Sequence, residues 1–347
     1  VALRCMESSS WSGARLGRGE TIDLTFFAKG FSFFAMSRYD VSFLLVPKFS
    51  MIALYGALEP LRVANRFAGP TFSWRFISED GAPVSASNDI PVSVSGSLSD
   101  LGRPAMAVVS ASYEPERGLT RPMLSAIRRL ARGRVPLAAI DTGPFLLAEA
   151  GVLDGYRATC HWESLPGFRE SYPKVLAEQS LYVTDRNRMT SAGGAAAIDM
   201  MLDWIGRLLG RPLAVAVADQ LVHFRSMEQP SQARLPVAAR YGVDDARLLK
   251  IISAMEEQSE DPLDAAALAA VAGISLRQME RLFHDKLGQR PMGFYRALRL
   301  EKAERLLTYS HMSVRDVSVA CGFSSLPLFS RSFKSRYGRP PSSFRAA

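Results

Sequence analysis

Leu268-Ala-Ala-Val-Ala-Gly-Ile-Ser275 is matched in pattern by Val317-Ser-Val-Ala-Cys-Gly-Phe-Ser324. The first copy continues through Met279, Arg281, Phe283, Leu287-Gly288, Pro291 and Phe294. The second continues through Phe329, Arg331, Phe333, Tyr337-Gly338, Pro341 and Phe344. In each, a short apolar helix is followed by a glycine turn and by a second helix with a serine before it, which is the pattern of a helix-turn-helix. Units at 264–287 and 314–337 predict an all-α double helix-turn-helix domain that inserts two recognition helices into double-stranded DNA.

Periodicity assigns the faces of those helices. In the first, Met279, Leu282 and Phe283 form an apolar stripe that turns Arg277, Glu280 and Arg281 outward, with Ser275 as the cap. In the second, Phe329 and Phe333 point inward, Ser324 is the expected cap, and Leu326, Pro327, Ser330 and Arg331 point out. Arg pairs bidentately with guanine and Glu accepts from cytosine. Leu326 and Pro327 have no side-chain hydrogen bond to offer, so thymine methyl contact or shape reading is expected there. Lys286, Arg290, Lys334, Arg336 and Arg339 are expected at phosphate or in solvent. Any one of these arginines has an alternative reading as a solvated surface charge. Between the units, Phe294, Leu298, Leu300, Ala303 and Leu307 predict a rigid spacer helix over Met292–Leu307. It would hold the two readers about one DNA turn, ~34 Å, apart.

Charge agrees with this reading. Residues 275–347 carry 14 Lys and Arg against 5 Asp and Glu, whereas the whole 347-residue chain has a formal charge of +8. A basic end on a near-neutral body fits a polyanion partner. Hydrophobic residues at 48% and charged residues at 22% allow two domains with ordinary cores. Cys5, Cys160 and Cys321 offer neither a disulfide framework nor metal spacing, so no metal and no cofactor is expected, and a reducing cytoplasm is the expected location. No apolar run reaches membrane-spanning length. Residues 1–37 read as a disordered or mis-started extension. Their apolar stretch Thr25–Phe34 is broken by Lys29 and Gly30, unlike a signal peptide, and Met36 is the expected initiator.

Residues 38–225 alternate strand and helix patterns. Strands are expected at Val41–Val46, Thr71–Ser78, Met106–Ser110 and Pro136–Ile140. Helices are expected at Met51–Asn65, Pro122–Arg132, Gly143–Ala150 and Ala195–Leu209. This predicts a flavodoxin-like, doubly wound α/β sheet, whose ligands bind beyond the carboxyl ends of the strands. Two junctions lie there: Asp141-Thr142, where a strand turns into a helix, and Ala158-Thr-Cys-His161-Trp162-Glu163, an expected strand end. Glu59 on the first helix could reach the same crevice. Each has a plain structural alternative: Asp141 as a helix cap, His161 and Trp162 as interior residues, Glu59 as an exposed helix residue. Residues 226–243, with two prolines, read as a linker. A helix at Asp244–Glu257 opens the DNA-binding domain, 244–347.

Leu58-Glu59-Pro60-Leu61-Arg62-Val63-Ala64-Asn65, Asp141–Gly155, Ala158-Thr159-Cys160-His161-Trp162 and Thr190–Asp199 resemble the DJ-1/PfpI domain, which has the class I glutamine amidotransferase-like fold. Joined to the double helix-turn-helix, the chain resembles the amidotransferase-like branch of AraC/XylS transcription regulators over residues 38–347. Enzymes of the wider superfamily carry a cysteine at the elbow where this chain has Asp141. The resemblance therefore implies a sensor without catalytic residues. It implies Glu59, Asp141, Thr142, His161 and Trp162 as effector contacts, an activator working with RNA polymerase, and a homodimer formed through the N-terminal domain. Sensors of arginine, glycine betaine and carnitine belong to this branch, and two carboxylates beside an aromatic ring suit such cationic or zwitterionic amines. The alternatives are a DJ-1-like hydrolase or amidotransferase anchored to DNA, with Cys160 as its thiol, and a constitutive DNA binder whose body only dimerises.

Overall fold

The computed structural model describes residues 39–223, 237–310 and 312–344, all within one compact unit, Arg38–Ala347. The expected start at Met36 and most of the expected linker lie outside the described residues.

The apolar run predicted as a buried strand is β1 (Tyr39–Leu45), an inner strand of a seven-stranded sheet. Its side chains alternate between two cores. Val41, Phe43 and Leu45 join one cluster, and Leu44 joins the other, with Val46 just beyond the strand. Both faces are covered, which is why the strand is apolar through most of its length. On one face lie α1 (Met51–Ala68), α5 (Ala196–Leu209) and α6 (Arg211–Gln220); on the other lie α2 (Arg121–Arg132), α3 (Pro144–Glu149) and α4 (Leu165–Ser171). β2 (Phe72–Ser78) and the short β5 (Gly96–Ser97) extend the sheet on one side of β1, with the small hairpin β3 (Val84–Ser85) and β4 (Pro91–Val92) between them in sequence. β6 (Met106–Ala111) and β7 (Leu137–Asp141) extend it on the other side. The winding direction reverses between β1 and β6, so a ligand crevice is expected beyond the carboxyl ends of β1, β6 and β7.

Two details of this domain depart from expectation. β10 (Tyr182–Asp185) and β11 (Arg188–Ser191) form an antiparallel hairpin, and β11 adds parallel to β7. The stretch around His161 is not a strand end. Only Arg157–Ala158 (β8) pairs, with β9 (Leu176–Ala177), and residues 159–161 follow as irregular chain.

The C-terminal part, called the reader for its expected role, is all α. After α7 (Val237–Tyr241) and α8 (Ala246–Glu257) come α9 (Ala265–Val271) and α10 (Leu276–Leu287), the spacer α11 (Pro291–Tyr309), then α12 (Val314–Ala320) and α13 (Leu326–Tyr337). Asp264 caps α9 by accepting from Ala267 N at 2.8 Å. Ser275 and Gln278 form a reciprocal capping box on α10, as Ser313 and Asp316 do on α12. The cap of α13 is Ser325, not Ser324: its hydroxyl accepts from Leu328 N. The spacer belongs to both cores. Phe294 and Tyr295 pack with Met279 and Phe283, while Leu300, Ala303, Leu306 and Leu307 pack with Phe329 and Phe333. Nineteen helical residues make a rod of about 28 Å. No helix among the described residues is long and apolar enough to cross a membrane.

Candidate functional site

At the end of β7 the chain turns sharply. Asp141 takes a left-handed backbone conformation, φ 62°, which non-glycine residues adopt at a cost of order 1–3 kcal/mol. Two glycines make the turn possible. A Cβ on Gly143 would lie 2.5 Å from the Val109 carbonyl oxygen, and one on Gly193 would lie 2.7 Å from the Asp141 Cβ. Thr142 Oγ1 donates to the Ser112 carbonyl at 2.5 Å, and His161 N donates to the Asp141 carbonyl at 3.0 Å. The elbow and the His161-Trp162 segment are thereby tied together. Asp141 does not cap the following helix: the position before α3 is Gly143, with no side-chain cap.

Burial leaves Asp141 only 7% exposed and raises its carboxyl pKa to about 7; a hydrogen bond with the Ser112 side chain opposes this, and the Glu163 charge adds to it. Glu163 Oε2 lies 3.8 Å from His161 Nδ1. Burial lowers the His161 pKa despite that carboxylate, which favours a neutral ring. The Trp162 ring lies 5.7 Å from the His161 ring, and the Arg305 guanidinium lies 5.7 Å from the centre of the Trp162 ring.

Asp141, Thr142, His161 and Trp162 thus form one neighbourhood. Glu59 is held otherwise: its carboxylate pairs with Arg62, one turn along α1, at 2.6 Å. The carboxylate whose charge acts on Asp141 is Glu163. It directly follows the Ala158–Trp162 motif, and that adjacency is the only signal of it in the sequence. Cys160 is fully buried, and burial, followed by the Asp141 charge, pushes its thiol well above the usual range. A thiol held protonated in this way is a poor nucleophile.

The second site is the face of the reader. Arg277, Glu280 and Arg281 are exposed on α10 while Met279 and Phe283 are buried. With Ser275, His284 and Arg290 they line one shallow concavity of about 850 Å³. On α13, Leu326, Pro327 and Arg331 are exposed and Ser330 is partly so, above buried Phe329 and Phe333. Arg336, expected at phosphate or in solvent, pairs with Glu301 at 2.6 Å, and Lys286 lies 3.5 Å from Asp244. No group of His, Cys, Asp and Glu among the described residues has metal-binding geometry.

A doubly wound α/β domain with a sharp strand-to-helix elbow, joined to two capped helix-turn-helix units, defines a DNA-binding transcription regulator with a DJ-1/PfpI-type domain. Similarity to known proteins agrees. The DJ-1/PfpI family matches residues 42–207, and a helix-turn-helix domain matches 268–347. The chain is 46% identical over 307 residues to the HTH-type transcriptional regulator CdhR of Pseudomonas aeruginosa, covering 88% of this chain and 91% of that one. It is 36% identical over 303 residues to the HTH-type transcriptional regulator GbdR of the same organism, covering 87% and 83%. An AraC family transcriptional regulator from Pseudomonas putida, solved by crystallography, is 28% identical with a TM-score of 0.50, over 53% of this chain and 99% of that one. The chain belongs to the AraC-type transcription regulators that carry a DJ-1/PfpI domain.

Proposed function

We propose that residues 38–225 sense a small cationic or zwitterionic amine, that 226–243 link, and that 244–347 read promoter DNA, the whole acting as a cytoplasmic activator with RNA polymerase. The N-terminal domain would also form the homodimer. The observation that carries the effector class is the buried Asp141 carboxyl at the elbow, with Glu163 and the Trp162 ring in the same neighbourhood. A cation beside Asp141 stabilises its ionised form, and aromatic faces attract ammonium or guanidinium groups. Among the expected contacts, Asp141, Thr142, His161 and Trp162 are kept. Glu163 is added to the proposed set, and Glu59, which pairs with Arg62 at the surface of α1, is proposed as the weaker contact.

The hydrolase alternative has no support in the thiol, since Cys160 is buried and protonated. For DNA, Arg277, Glu280 and Arg281 of the first unit and Leu326, Pro327, Ser330 and Arg331 of the second are the proposed base-reading set, with Ser275 at the phosphate backbone.

Calorimetry of the full chain with glycine betaine, arginine and succinate tests the effector class. One of the two amines should bind wild type, succinate should not, and Asp141→Ala should weaken the amine at least tenfold. Succinate binding that survives Asp141→Ala would overturn the assignment.

A further inference from the structure

The spacer helix does more than separate the readers. Its last turn lies on the sensor domain. A Cβ on Gly167 in α4 would come within 2.5 Å of the Tyr309 carbonyl oxygen, so only glycine allows α4 and α11 to meet this closely. Tyr309 packs against the sensor's core cluster, as Tyr172 does. Its phenol sits within the fields of Glu163, Glu304, Tyr113 and Asp141 and, with burial as the larger cause, is pushed up to about 12. One turn earlier, Arg305 places its guanidinium over Trp162, while its Nε is buried with no hydrogen-bond partner among the described residues. Trp162 and Arg305 also line a cleft of about 690 Å³ that has α4 on one side and α7, α8 and α11 on the other.

We propose that Arg305 and Tyr309, on the last two turns of the spacer helix, form the reader's own wall of the effector site. The amine would then be sensed by the element that sets the spacing of the two recognition helices. This rests on the effector site proposed above. Physically, an amine bound beside Asp141 that reached Tyr309 would change the seating of the end of α11. The second helix-turn-helix packs on that same half of α11, through Ala303, Leu306 and Leu307.

The test is linkage, measured on the full chain. An operator is selected from random duplexes, and tetramethylammonium, glycine betaine and arginine are titrated by calorimetry with and without it. One amine should bind wild type with an affinity that changes at least fivefold on operator, and the operator affinity should change by the same factor. Gly167→Ala should cut that factor below twofold, and Tyr309→Ala should also weaken the amine at least tenfold. Tyr309→Phe, which keeps the packing, should restore folding and most of the coupling. If Gly167→Ala and Tyr309→Ala keep the wild-type amine affinity and coupling while Asp141→Ala abolishes amine binding, the effector site stands and the wall is refuted. If no amine binds wild type, the effector class fails. Hydrogen exchange then decides the wall: operator DNA should change protection at His161–Glu163, and unchanged exchange there refutes it.

Discussion

Replacing Asp141 by Asn should stabilise the ligand-free protein, and by an amount that depends on pH. The folded chain keeps the Asp141 proton up to about pH 7, because burial disfavours the carboxylate, whereas the unfolded chain loses it near 3.8. Folded Asp141 therefore binds more protons than unfolded Asp141 between those values, and stability falls as the pH rises through that window. Below about pH 4 the residue costs nothing. At about 1.4 kcal/mol for each tenfold change in proton affinity, the gap sets the cost above pH 7 at about 4 kcal/mol. Asn has nearly the same shape, keeps a partner for Ser112, and has no charge to desolvate. Thermal unfolding of wild type and Asp141→Asn should give similar midpoints near pH 4. At pH 8 the variant should unfold about 8–16 °C higher, since 1 kcal/mol is worth about 2–4 °C in a domain of this size. A difference that stays constant from pH 4 to pH 8 would refute the burial argument.

The same proton acts on the effector. If the amine requires the Asp141 carboxylate, its affinity should fall as the pH drops below 7, by up to about tenfold per unit, and Asp141→Asn should remove the dependence; a flat wild-type profile contradicts this. Arg281→Ala and Arg331→Ala should each weaken operator binding by about 1–3 kcal/mol, concentrated at one base position, as read from binding to operator variants. Cys160 should resist iodoacetamide in the native protein and react once unfolded, and rapid native alkylation would show the thiol to be accessible. Phe283→Ala and Phe333→Ala should each destabilise the reader by about 3–5 kcal/mol in chemical unfolding, because both rings are fully buried.

Local patterns make most of the reader legible. The stripe Met279–Phe283, the pair Phe329 and Phe333, and the serine caps act within one or two turns, so sequence spacing carries them. Ser324 yields the cap to its neighbour Ser325, a shift within the ordinary uncertainty of helix ends. The β10–β11 hairpin is not legible because its turn places Arg186, not Asn or Gly, at a positive φ of 54°. In the N-terminal domain, the motif at Asp141–Thr142 and His161–Trp162 marks the elbow. Glu59 carries a second reading in the same stretch, since Arg62 stands three residues on, a spacing that itself predicts the ion pair observed. Arg305 and Tyr309 cannot be read as neighbours of the elbow, since only the fold joins them to Asp141.

In the proposed function, one amine, recognised at Asp141, controls transcription through the double helix-turn-helix. Single-round transcription by RNA polymerase from a template bearing the selected operator tests it most directly. Glycine betaine or arginine should raise transcript yield with wild type, and Asp141→Ala and the double variant Arg281→Ala, Arg331→Ala should give no response. Equal yields with and without amine for wild type, or an undiminished response in Asp141→Ala, would contradict it.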